Sequence, residues 1–243
     1  MSVSAWEQLI GVERYGRLAR DCTSPKGIGP APLLLPHPAL LDHMNAKLAA
    51  SVFVVLAPLE VGLRNAMADQ LQPIADAMPG PPAPWYQQTA LGLHSRERES
   101  IDSAKSKAAS VAGRARRAVI PADVLAQFSF GLWPALLATK YRTRLWRAGL
   151  RNAFPHLDAS FGRQRDPDVF IAKRLQIINV YRNRIAHHEP VYRSSPTLDD
   201  VRRAIVTVSV CISPELEGAV KHHWQQMVSD PQAGTLPQVR TLI

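Results

Sequence analysis

Apolar residues recur at intervals of three and four along most of the chain, a spacing that calls for helices rather than sheet. The clearest stripe is Val52, Leu56, Leu59, Leu63 and Met67, within a helical region predicted over 39–71. Pro58 removes a backbone donor inside that region, which predicts a kink or a junction between two helices. Sustained period-two alternation is missing, as are the Asn-Gly and Asp-Gly hairpin turns. Further helices are predicted over 4–20, 95–111, 123–139 (interrupted by Pro134), 141–154, 168–187, 197–212 and 214–228. In the first, Trp6, Leu9 and Ile10 share one side, and Glu13 and Arg17 follow one turn apart. Thr197, followed by Asp199 and Asp200, reads as an N-terminal cap matched to the helix dipole. Proline-rich stretches at 25–38 and 73–84 read as loops. The expectation is an all-α bundle.

The 243 residues suit a single domain over 1–243, with an N-terminal helix in 1–24, C-terminal helices over 197–228 and an irregular tail at 229–243. With 46% hydrophobic and 20% charged residues, wholesale disorder is excluded. Lysine and arginine number 29 against 20 acids, so the formal charge is +9, which favours an anionic partner, nucleic acid before acidic membrane. The apolar stretch 48–59 is shorter than the roughly 20 residues a membrane span needs, so it reads as core and no membrane association is expected. Cys22 and Cys211 alone build neither a disulfide framework nor a four-ligand zinc site. The start, Met1 to Glu7, lacks the basic and apolar segments of a signal peptide. A cytoplasmic location is therefore expected.

The segment richest in chemistry is Tyr181-Arg182-Asn183-Arg184-Ile185-Ala186-His187-His188-Glu189-Pro190. Pro190 disfavours helical geometry at Glu189, so a helix should end near His187 or His188. Histidine at such an end is a candidate for general acid–base work, and Asn183 shares its face one turn back. Arg182 falls within the stripe of Ile171, Leu175, Ile178 and Ile185, where a guanidinium must find an anion. A structural ion pair with Glu60 of the earlier helix answers that need as well as a phosphate does. Arg182 and His187 also project about 140° apart on a regular helix. For them to share a site, the helix end must unwind or a second copy of the helix must approach.

Other chemistries are poorly served. His188-Glu189 does not complete His-Glu-x-x-His, because Tyr192 stands at the second ligand position, and neither a metal nor a cofactor is expected. His222-His223 reads as a solvated face. Phosphate-binding glycine loops and a serine-hydrolase elbow are both missing from the sequence. Two basic clusters remain as candidate RNA contacts. Arg114, Arg116 and Arg117 fall in a connector. Lys140, Arg142, Arg144, Arg147 and Arg151 lie in an acid-free run interleaved with Tyr141 and Trp146, a pattern suited to phosphate contact and stacking as well as to a solvated helix face.

Four stretches together resemble the Abi-like family of the HEPN superfamily, bacterial proteins associated with abortive phage infection. They are Asn45 within Asp42-His43-Met44-Asn45-Ala46; Leu59-Glu60-Val61-Gly62-Leu63-Arg64-Asn65-Ala66; Phe128-Ser129-Phe130-Gly131-Leu132-Trp133 with Leu145-Trp146 and Phe154-Pro155; and Arg182 to Pro190. They span about residues 40–193. The resemblance implies a HEPN-like helical bundle with extra helices, dimerisation, and metal-independent endoribonuclease activity in phage defence or as a toxin. It maps the superfamily's Arg, polar residue and His onto Arg182, Asn183 and His187, with His188 as the alternative histidine. Glu60 and Arg64 become candidates for a supporting ion pair. The implied partners are RNA, a second copy completing a composite active site, and a cognate antitoxin or phage trigger. Two other readings stay open: a non-catalytic RNA-binding or sensor module, and a helical partner-binding subunit.

Overall fold

The structure, a computed structural model, describes residues 8–9, 11–23, 38–193 and 195–229. Among these, every regular element is helical, so the chain is all-α. The predicted proline-rich segment 25–38 and the tail beyond Ser229 lie almost wholly outside the described residues, as do Trp6 and Ile10.

Helix α1 runs Val12–Thr23. Gln8 and Leu9 are helical too, and Gly11 at φ 85° separates them from α1. The single helix predicted over 4–20 is therefore interrupted there, its residues before Gln8 lying outside the described residues. Helix α2, Pro38–Asp76, is the spine. It is continuous through both Pro58 and Pro73, so the first proline does not mark a junction between two helices and the second does not open the expected loop. Its inner face explains that persistence: Leu48, Val52, Val55, Leu56, Leu59, Leu63, Met67 and Leu71 are fully buried. Each such side chain contributes about 1.5–3 kcal/mol, and together they outweigh the backbone bond missing at each proline. Gly62 lets α9, Pro214–Ser229, lie close, since a Cβ there would stand 2.8 Å from Leu216. By length and composition α2 could cross a membrane, with mean hydropathy 1.8 over its best window, of which 39% is buried. That apolar character includes an outward stripe of Phe53, Val54, Ala57 and Val61, exposed to solvent.

Helix α3, Ser95–Arg114, follows the predicted polar helix. The next region departs from expectation. In place of an apolar helix over 123–139 and a basic one over 141–154 come two short helices, α4 (Pro121–Ala126) and α5 (Leu132–Leu136). Single turns then follow at Thr139–Tyr141, Arg142–Trp146 and Leu150–Ala153. Pro134 lacks the donor a longer helix needs, and Gly149 at φ 147° reverses the backbone between the last two turns. The segment still packs inward through Trp133, Tyr141, Leu145, Trp146, Leu150 and Phe154. After α6 (Leu157–Phe161) comes α7, Pro167–Ala186, burying Ile171, Leu175, Ile178, Tyr181 and Ile185. Helix α8, Leu198–Ile212, begins as expected: Thr197 Oγ1 accepts from Asp200 N–H at 3.2 Å and Asp200 accepts from Thr197 N–H at 3.0 Å. Hydrogen bonds from Thr197 hold the Asp200 carboxyl below its ordinary range. Helices α2, α7, α8 and α9 pack on one another around one core, and α1 lies against α2.

Candidate functional site

The C-terminal end of α7 turns sharply and is tied down from three sides. His187 N–H donates to Asn183 O at 2.9 Å, His188 N–H to Ile185 O at 3.1 Å, and Glu189 N–H to Arg184 O at 2.8 Å. This is the reversal that normally ends a helix on glycine, and His188 occupies the glycine position at φ 55°. A branchless residue is favoured there by about 1 kcal/mol, so the histidine is held by its surroundings. Buried Asn45 of α2 accepts from Val191 N–H at 2.8 Å and donates to Glu189 O at 3.3 Å. Tyr181 Oη donates to Val191 O at 3.3 Å. Arg14 of α1 donates to His188 O at 2.6 Å and pairs with Asp42 at 2.6 Å. Beyond the turn, buried Asp21 receives both Tyr192 and Arg193.

Helix termination thus falls at the predicted residue and leaves His187 and His188 exposed. Both line a cleft of about 150 Å³ with Arg14, Arg17, Asp42 and Asn45. Asn183 is exposed one turn before His187. Arg182 does not line this cleft. Its Nε donates to Glu60 Oε1 at 3.3 Å, with both side chains 29% exposed, so the expected ion pair is present. Arg64 makes no such pair among the described residues. The two key groups therefore sit on different sides of α7 within one chain, as their sequence separation dictates. Sequence reading missed Arg14 and Asp42; their only signal is their place on helices that flank the histidine turn.

The basic run behaves differently from its sequence. The acids missing locally come from distant segments: Lys140 pairs with Glu97 at 3.1 Å, Arg142 with Asp168 at 2.6 Å and Asp166 at 3.0 Å, and Arg151 with Asp158. Burial alone would raise Glu97, but hydrogen bonds from Tyr141 and Lys140 outweigh it and hold the carboxyl low. Arg144 lies over Gly92, whose missing Cβ makes room for the guanidinium, and reaches Leu91 O at 3.4 Å. Within the run, Arg144 and Arg147 have no acidic partner among the described residues. Tyr141 and Trp146 are 2% and 5% exposed, so they are core rather than stacking platforms. In the other cluster, Arg114 ends α3 and Arg116 is exposed at φ 52°. Arg117 is not free of acids: it forks onto Asp123 at 2.6 and 2.7 Å, which holds the Asp123 carboxyl down at about 2. No group of three or more His, Cys, Asp or Glu among the described residues is placed to hold a metal ion.

No protein-family model, curated protein or solved structure matches this chain.

Proposed function

We propose that the chain is a metal-independent endoribonuclease whose reacting groups are Arg182, Asn183 and His187, completed across two copies and acting in phage defence or as a toxin. RNA carries its own nucleophile. The 2′-hydroxyl attacks the adjacent phosphorus, the bond to the next nucleotide's 5′-oxygen breaks, and a 2′,3′-cyclic phosphate remains. His187 takes the hydroxyl proton or returns one to the leaving oxygen, as an imidazole can near neutral pH. Arg182 stabilises the charge that grows on the phosphoryl oxygens. Asn183 orients the phosphate or the imidazole.

The observation that carries this reading is the looseness of the Arg182–Glu60 pair. A single 3.3 Å contact between side chains 29% exposed is worth about 0–1 kcal/mol, so a phosphate can displace Glu60 readily. The exposed apolar stripe of α2 runs beside Glu60 and gives a second copy a face to cover. Such a dimer answers the divergence of Arg182 from His187. The test is an RNA digest in chelator with wild type, Arg182→Ala and His187→Ala. Wild type cleaves, each variant alone does not, and mixing the two variants restores part of the activity because one site in each mixed dimer is intact. Chelator-sensitive cleavage, or full activity in both variants, overturns the proposal. RNA retention without products, unchanged in His187→Ala, selects a binding module in which Arg182–Glu60 is purely structural.

A further inference from the structure

A cleft of about 610 Å³ lies at the opposite end of α7 from the histidines. Five arginines line it, Arg142, Arg147, Arg151, Arg163 and Arg165, against two aspartates, Asp166 and Asp168. Both aspartates are already engaged by Arg142, and Arg151 is engaged by Asp158. Arg147, Arg163 and Arg165 are left with no acidic partner among the described residues, and all three are exposed. Two glycines build the convergence. Gly149 at φ 147° folds Arg147 and Arg151 onto one wall, and Gly162 at φ 68° turns the chain out of α6 to bring Arg163 and Arg165 to the other. Gln164 braces that second loop by donating to Phe161 O at 2.7 Å and Gly162 O at 3.4 Å.

Three unpartnered guanidiniums facing one concavity repel one another until an anion enters, and guanidinium forks match phosphate oxygens best. The size falls within the range of small-ligand pockets and exceeds what a single phosphate needs. We propose that this cleft binds a compact anion with two or more linked phosphates, of the pyrophosphate or nucleoside-polyphosphate class, held by Arg147, Arg163 and Arg165. Helix α7 is about 28 Å long, so the site is separate from the histidine turn and stands independently of the ribonuclease reading.

The test measures thermal unfolding and equilibrium binding of the full chain with inorganic pyrophosphate and a nucleoside triphosphate, against sodium chloride at matched ionic strength. Both anions should stabilise wild type saturably, and Arg163→Ser with Arg165→Ser should weaken binding by about tenfold or more. These side chains are exposed, so the fold survives the change, and an unaltered melting temperature without ligand verifies it. Arg114→Ser, on a different basic cluster, should bind as wild type. The proposal falls if sodium chloride reproduces the shift, or if the double variant responds like wild type. It also falls if a single-stranded RNA decamer binds through Arg163 and Arg165 while both small anions fail, because the cleft then belongs to a strand track.

Discussion

The two ends of α7 carry the same residue types in opposite states. At its N-terminal end a buried carboxylate, Asp168 at 1% exposure, is clamped by Arg142, and the surplus charge is three arginines with no acidic partner among the described residues. At its C-terminal end the arginine is the paired group, but loosely, and the exposed groups are two histidines on a turn held by backbone hydrogen bonds. Burial decides the difference. A pair with one member out of water is structural, whereas a pair with both members partly wet can exchange its partner. Four substitutions break or sharpen this contrast.

The largest effect belongs to the N-terminal end. Asp168→Ala removes a charge-assisted bond of 2.6 Å and leaves the Arg142 guanidinium with only the exposed Asp166. We expect a loss of about 2–3 kcal/mol in urea unfolding, short of a fully buried pair because Arg142 retains some exposure. A loss equal to that of Glu60→Gln at the other end would erase the contrast. Next is Asn45→Ala, which removes the bonds from Val191 N–H to Asn45 and from Asn45 to the Glu189 carbonyl. Stability should fall by about 1–2 kcal/mol, and RNA cleavage should fall with it because the turn presenting His187 loosens. Unchanged cleavage at full folding would show that the turn's geometry does not matter to the reaction.

Much of this contrast could be read from sequence, and the unread part has a physical cause. The span of α7, the cap at Thr197 and the Arg182–Glu60 pair follow from periodicity and from the rule that a guanidinium in an apolar stripe needs an anion. These are local signals, or a local demand with one obvious supplier. The run from Lys140 to Arg151 misled because its neutralising acids sit at Glu97, Asp158, Asp166 and Asp168, as far as 43 residues away. Its aromatics misled for the same reason, since packing against other segments rather than spacing buries Tyr141 and Trp146. The arginine cleft was missed although Gly162-Arg163-Gln164-Arg165 stands in plain view, because its opposite wall depends on the reversal at Gly149.

His188 separates the histidine turn's architecture from its chemistry. It carries a left-handed backbone that glycine adopts without strain, and the hydrogen bonds that tie it into the turn, among the described residues, use its backbone atoms. His188→Gly should raise stability by about 0.5–1 kcal/mol, less whatever the more flexible unfolded chain takes back. If His187 is the reacting histidine, cleavage persists in this variant. Abolished cleavage with raised stability would transfer the role to His188.

The smallest effect on stability should come from Glu60→Gln. The amide can still accept from Arg182, and the pair it replaces is partly exposed, so unfolding should shift by less than about 1 kcal/mol. Binding should respond in the opposite sense. With Glu60 neutral, Arg182 no longer has a carboxylate competing against phosphate, and the repulsion between that carboxylate and an approaching strand is gone. RNA should therefore bind more tightly, by up to about tenfold at low salt, with the gain shrinking as salt screens the charges. A catalytic Arg182 predicts this rise in affinity together with cleavage that is retained. If Arg182 is only a structural partner, the substitution lowers stability slightly and leaves affinity where it was, and the two ends of α7 then differ in exposure alone.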